Sequence, residues 1–409
     1  MRPISPKEER RWPMNNRIFR RALLFTFHYS LFTFHYSLFT LLLSCKPEPP
    51  LHLYDMEPTD MEMVLAELEL DTYWDYELEV GVKYEWRTEW FFGWDAEDLR
   101  IWGEIGYTTP NVFNIRRYYT GDIPYAPHTK VIQNTVVGNT FQGEFNYGFW
   151  DLLVFNDIVP REDVQSLNFD ETSTLDSITA YTNQSMTTSR YNTPRFTRAF
   201  YEPEELFSAY EQAIEIDREH KDFEFDAERN LWVKHLNMVL RPITYIYLTQ
   251  VIVHHNRGKI VGVEGTGTLS GMARSTVLNS GRGGDDAVSI TYQTRWKKDC
   301  DMNGEAVDIA GGRLMTFGIP GNRCGQLTDK HQVRDSYPHY MDLKMLFNNG
   351  IDSTFVFDVT QQVRERYKGG VLTVELDMDT IPIPSRTGGS AFDAVVKGFE
   401  DGGTHEFEM

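Results

Sequence analysis

Polar and apolar positions alternate most regularly over residues 75–86, where Tyr76, Leu78, Val80, Val82, Tyr84 and Trp86 interleave with Asp75, Glu77, Glu79, Gly81, Lys83 and Glu85. Period two over six apolar positions predicts a half-buried strand with a row of acids in water. Shorter stretches of strand character follow or precede it at 61–70, 99–105, 112–118, 130–137 and 148–155, the last reaching the turn pair Asn156-Asp157. Short strands divided by Gly, Pro and Asn predict a β-sandwich over 61–168.

Apolar content falls over 169–202, where Thr172-Ser-Thr174, Thr182-Asn-Gln-Ser185 and Thr187-Thr-Ser189 read as linker or loop. At 203–214 the spacing predicts a short helix. Pro203 and two glutamates stand at its start, and Leu206, Tyr210, Ala213 and Ile214 share a face. Strand character returns at 231–240, 244–253, 260–270, 288–296 and 311–317. Met341, Leu343, Met345 and Phe347 then alternate up to the hairpin turn Asn348-Asn-Gly350, with a returning strand at 354–359. A second short helix is expected near 360–368, capped by Thr360 and closed by Gly369, before a final strand at 372–376. The fold class is therefore all-β, with a second sandwich over 203–409.

Charge is distributed unevenly. The chain of 409 residues has a net charge of −20, but residues 1–44 hold seven Lys/Arg against two Glu, which leaves −25 on the remainder. A body this acidic repels a phosphate backbone, which argues against nucleic acid as a partner. The positive segment contains Arg17, Arg20 and Arg21, followed by an apolar run from Ala22 to Leu43 that ends in Leu42-Leu43-Ser44-Cys45. Basic flank, apolar run, small residue and cleavage point form the order of a secretory signal over 1–44. Leu, spacer, small residue and Cys resembles a bacterial lipobox, in which Cys45 is lipidated. The competing reading is a retained membrane anchor, since about 20 apolar residues span a bilayer. The seven-residue tandem Leu24–Ser30 and Leu31–Ser37 is a duplication in a tolerant segment, and Lys46-Pro-Glu-Pro-Pro50 opens a stiff tether over 45–60.

No catalytic constellation, metal site or cofactor site is expected, and the chain reads as a non-enzyme. Asp299-Cys-Asp301-Met-Asn303-Gly304 opens like a calcium loop, but its twelfth position is Ala310, so a hairpin turn is expected. In Gly265-Thr-Gly267-Thr-Leu-Ser270-Gly271, small residues mark a turn or a closely packed neighbour. His254 and His255 end a strand, where alternation would send them to opposite faces and away from a common metal. Cys300 and Cys324 are either a disulfide or two buried thiols. Trp74, Trp86, Trp90, Trp94 and Trp102 crowd into 29 residues. Either they are core, or they stack on sugars or fill a partner's pocket. Trp90-Phe91-Phe92-Gly93-Trp94 breaks the alternation, so Trp90, Phe91, Phe92 and Trp94 are the expected interaction surface.

A lipobox cysteine followed by two β blocks resembles the fimbrillin-like lipoproteins of Bacteroidales-type bacteria, including fimbrial anchor and accessory subunits. The stretches that carry the resemblance are Ile115-Arg-Arg-Tyr-Tyr-Thr-Gly-Asp122, Gly148-Phe-Trp-Asp-Leu-Leu-Val-Phe-Asn156, Pro203-Glu-Glu-Leu-Phe207, Tyr245-Ile-Tyr247, Leu269-Ser-Gly-Met-Ala273 and Phe357-Asp-Val-Thr360, in order over residues 60–380. The resemblance implies tandem transthyretin-like or Ig-like sandwiches on an outer-membrane lipid anchor, with fatty acid (palmitate) on Cys45. It implies a role in fimbrium assembly or cell adhesion, with other fimbrial subunits as partners. The alternative is a surface protein that binds glycan through the Trp74–Trp102 cluster, on a host or a neighbouring cell.

Overall fold

The computed structural model describes residues 63–72, 89–92, 96–102, 106–158, 166–170, 178–184, 199–228, 231–321, 337–385 and 394–396. The signal and tether, Cys45, the strand expected at 75–86, Trp74, Trp86, Trp94 and Cys324 lie outside these residues.

The first elements are β1 (Met63–Thr72), helix α1 (Ala96–Trp102), β2 (Val112–Gly121), β3 (Lys130–Val137), β4 (Thr140–Asn146), β5 (Gly148–Asn156), β6 (Leu167–Asp170), β7 (Thr179–Thr182) and β8 (Ala199–Tyr201). Next come β9 (Phe207–Ile216), β10 (Phe223–Asp226), β11 (Leu231–Pro242), β12 (Tyr245–His254), β13 (Ile260–Val263), β14 (Thr266–Ala273), β15 (Ser275–Val277) and β16 (Ala287–Gln293). The last are β17 (Arg295–Met302), β18 (Glu305–Thr316), β19 (Tyr340–Phe347), β20 (Asp352–Asp358), helix α2 (Thr360–Glu365), β21 (Gly370–Asp377) and β22 (Ala394–Val396). The chain is thus mostly strand, as its alternation predicts.

The first sheet runs β3-β2-β5-β9-β11-β1-β4, with β10 added beside β11. It folds over on itself, so that Phe145 of β4 meets Trp150 of β5 edge-on at 5.0 Å. Arg117 of β2 crosses the gap to donate to the Glu144 carbonyl at 2.8 Å. Leu68, Phe113, Ile115, Trp150, Val154, Phe207 and Leu240 fill the space between. The sheet draws on both sides of the polar stretch at 169–202, because β9 and β11 join strands from before residue 157. That stretch itself contributes β7 and β8.

The second sandwich packs the sheet β17-β18-β12-β21 on β22-β20-β19-β14-β16-β8, with β13 beside β19. Tyr247, Val251, Leu314 and Leu372 of the former meet Leu269, Ile290, Met341, Leu343 and Phe355 of the latter. Burying roughly 1.5–3 kcal/mol of transfer free energy per large apolar side chain, this interface is the main stabilising element of the region. A smaller sheet, β15-β7-β6, lies against the outer side of β5 through Leu167, Ala180, Leu153 and Phe155.

Two expectations need correction. The helix expected at 203–214 is strand β9, and its irregular spacing comes from a β-bulge. Trp150 pairs with Ile214 and Leu152 with Glu211, so β9 carries one residue more than β5 between those pairs. Ala213 takes φ 56 there, and its N–H donates to buried Asp151 at 2.8 Å. One extra residue breaks period two and imitates a helical stripe. The strand expected at 99–105 is also wrong, since helix α1 occupies that region. Its first turn carries Glu97 and Asp98, which suit a helix start. Buried Asp98 is clamped by Lys297 at 2.6 Å and by Arg295 of β17.

Helix α2 forms where the second short helix is expected, but its expected caps do not: Val359 precedes it without a side-chain cap bond, the Thr360 hydroxyl accepts the His339 N–H at 2.9 Å instead, and the helix ends at Arg366, ahead of Gly369. Two turn signals hold. Asn303 and Gly304 supply the positive φ of the β17–β18 hairpin, and Gly350 that of the β19–β20 turn. At Gly271, with φ 84, a Cβ would stand 2.5 Å from the Pro338 carbonyl oxygen, so close packing requires glycine there.

Candidate functional site

The aromatic segment expected on the surface is mostly core. Trp90 and Phe92 are each 1% exposed and pack with Ile246, Leu248 and Ile252 on the outer face of β12, beside Trp102. The Trp90 indole donates to the Thr249 carbonyl at 3.1 Å, and Gln250 receives the Phe91 N–H at 2.8 Å. Only Phe91, at 39% exposure, faces water among the described members of the expected surface. The alternation fails at 90–92 because the segment lies across a sheet as a cover rather than within one. Cys300 is a free, half-buried thiol, and burial pushes its pKa up.

The structure instead gathers titratable groups at one end of the β17-β18-β12-β21 sheet. Strand β12 ends at His254 and runs parallel to β21, in a register that sets His254 opposite Asp377. Antiparallel β18 starts there with Glu305, and its Asp308 pairs with Val253. After His254 the backbone turns sharply, with φ 50 at His255, 47 at Arg257 and 74 at Gly258. Asn256 pins this turn, donating to the Ile260 carbonyl at 2.7 Å and accepting from the Ile260 N–H at 2.7 Å. Its amide also donates to Asp308 at 2.5 Å. The result is a cleft of about 540 Å³, lined by His254, His255, Arg257, Asp299, Glu305 and Asp308 among others.

The left-handed conformation at His255 overturns the expectation that the two histidines face apart. Alternation applies only while the chain stays extended, and here both rings approach Glu305. His254 Nδ1 lies 3.1 Å from Glu305 Oε1, and His255 Nε2 lies 3.9 Å from the same oxygen. On its other side His255 Nδ1 is 2.9 Å from Asp377 Oδ1 and 3.9 Å from Asp379 Oδ2. Arg257 grips Asp379 with both terminal nitrogens at 3.1 Å. The hydrogen bond that His255 donates to the Asp377 carboxylate, aided by the charges of Asp377, Asp379 and Glu305, raises the His255 pKa above its ordinary value. The Asp379 N–H, donating to Asp377, and then His255 hold the Asp377 carboxyl below the usual range. Neither histidine could be placed here from spacing, because Asp377 and Asp379 follow by more than 100 positions; only the sheet order joins them.

A different aromatic group reaches the surface on β10 and β11. Trp232, 38% exposed, stacks on His220 with centroids 5.0 Å apart and planes at 12°, and Phe225 meets it edge-on at 5.1 Å.

No protein-family model matches the chain, and no curated protein matches it. Among solved structures it is similar to a candidate adhesin from Bacteroides ovatus, with 12% identity and a TM-score of 0.46 over 80% of this chain and 96% of that one. It is similar as well to the fimbrial anchor protein Mfa2 from Porphyromonas gingivalis, with 11% identity and a TM-score of 0.34 over 84% and 95% of the two chains. A third likeness is to candidate polysaccharide-binding proteins from Bacteroides thetaiotaomicron, with 9% identity and a TM-score of 0.36 over 77% and 90%. All three likenesses are remote.

Proposed function

We propose that this chain is an outer-membrane lipoprotein, acylated on Cys45, that serves as an anchor or accessory subunit of a cell-surface fimbrium and performs no catalysis of its own. The observation that carries the reading is the edge strand β3. Edge strands of soluble proteins are ordinarily guarded by charge, proline or a covering element. Lys130-Val-Ile-Gln-Asn-Thr-Val-Val137 has one charge in eight residues, pairs only with β2 among the described residues, and exposes Val131 and Val137. A strand with those properties offers backbone donors and acceptors to a strand of a neighbouring subunit. The basic, apolar and Cys45 sequence supports the membrane attachment that an anchor needs.

Mild crosslinking of intact cells followed by purification of the full chain tests the assignment. A filament protein in the crosslinked product is the expected result, and the chain recovered only with itself overturns it. Cys45→Ala is expected to move the protein from the membrane to the soluble fraction with an unchanged melting temperature. Persistent membrane association would establish a retained helix instead. A second reading, glycan binding, is supported by Trp232 and Phe225 rather than by the buried Trp90 and Phe92. Under that reading polysaccharide quenches tryptophan fluorescence, and Trp232→Ala removes the quench; a fimbrial subunit gives no response.

A further inference from the structure

We infer that His255, Asp377 and Asp379 form a binding site for a zinc-type divalent cation, which ties the end of β12 to the end of β21. The ligand atoms of these three residues lie within 4.8 Å of one another. Bonds of about 2.0–2.2 Å in a tetrahedral site set ligand atoms roughly 3.4 Å apart. His255 Nδ1 stands 2.9 Å from one carboxylate oxygen and 3.9 Å from the other, on either side of that value. Each of these two distances lies about 0.5 Å from that value, a shift that half-exposed side chains can make.

The surroundings of His255 supply a second, independent indication. A metal-bound imidazole ordinarily gives its other N–H to a carboxylate, which fixes the ring and its tautomer. With Nδ1 directed at the two aspartates, the remaining Nε2 faces Glu305 Oε1 at 3.9 Å, a charge contact that a small shift of the half-exposed glutamate would turn into that hydrogen bond. That glutamate is itself oriented by His254 Nδ1 at 3.1 Å. His254 Nε2 is enclosed and makes no hydrogen bond, its nearest charged neighbour being Glu375 at 3.9 Å. The ligands and their support therefore sit at the ends of three adjacent strands, with Asp377 and Glu305 on β21 and β18, and with His255 and Asp379 in the turns just past β12 and β21. Arg257 competes for the site, since its guanidinium holds both oxygens of Asp379 and must release at least one of them to an ion, whereas Lys259 is committed to the Met378 carbonyl.

Donor chemistry selects the ion. Imidazole favours zinc and its first-row neighbours, whereas calcium and magnesium take oxygen ligands almost alone. One imidazole and two carboxylates leave a fourth position for water or for a donor from another molecule.

Isothermal titration of the full chain, tag-free in detergent, with zinc chloride is expected to show one site, and zinc is expected to raise the melting temperature. His255→Ala and Asp377→Asn should each weaken binding by about tenfold or more and remove the thermal shift. Melting without metal checks that each variant is folded. His235→Ala alters a surface histidine set between Glu67 and Glu224, and should leave the titration unchanged. No binding by the folded wild-type chain overturns the inference. So does binding that survives both site variants, that is lost in His235→Ala, or that a hundredfold excess of calcium displaces.

Discussion

Strands β12 and β3 are opposite extremes of one fold. Nine of the ten residues of β12 are buried, because Tyr247, Val251 and Val253 enter the sandwich core while Ile246, Leu248 and Ile252 lie under Trp90 and Phe92. In β3 only Ile132, Asn134 and Val136 turn inward, and the alternate side chains face water. The difference shows what a central strand requires: a cover on its second face. Here the cover is not another sheet but a short aromatic segment and helix α1, fastened by Asp98 to Arg295 and Lys297.

Removing the cover is the strongest way to break the comparison. Trp90→Ala deletes a buried indole and its bond to Thr249, and is expected to cost about 3–5 kcal/mol in a denaturant melt. Trp232→Ala removes the same side chain from a surface site and should cost about 1 kcal/mol or less. Equal losses would mean that residues 89–92 and 96–102 do not shield β12.

The next effect concerns β5, whose bulge partner shapes β9. Asp151 is buried, accepts from the Ala213 N–H at 2.8 Å, and pairs with His128 at 2.9 Å. Asp151→Ala leaves the Ala213 N–H without its acceptor, and is expected to cost about 1–3 kcal/mol in the same melt. If stability is unchanged, the bulge is held by the β5–β9 ladder alone and not by this side chain.

The same contrast explains what the amino-acid sequence reveals. Half-buried strands announce themselves: 130–137 is expected from alternation and found over that very range. Strand β12 is expected as well, at 244–253, but its apolar run cannot say what covers each face. Trp90 and Phe92 therefore read as exposed when they are lids. At β9 one inserted residue shifts the apolar positions, so Leu206, Tyr210 and Ala213 imitate a helix. The cluster at His254 and His255 was illegible for a different reason. One left-handed residue reverses the direction of a side chain, and its carboxylate partners are brought close only by sheet pairing, Glu305 through antiparallel β18 and Asp377, 122 positions away, through parallel β21.

The smallest stability effect is expected at the edge itself, and it separates an open edge from a covered one. Val131 and Val137 are 49% and 75% exposed and stand opposite Tyr118 and Val112 of β2. Lysine at both positions removes little buried area and keeps the ladder bonds, so Val131→Lys with Val137→Lys should change stability by about 0.5 kcal/mol or less. A lysine on an edge strand nevertheless opposes docking, because an incoming strand must desolvate the charge. The double variant should therefore melt like the parent yet lose the filament partner in the crosslinking assay. A loss of stability well above 1 kcal/mol would show that another part of the chain already lies on β3. Unchanged stability with unchanged partner recovery would move the contact to another edge, such as β17.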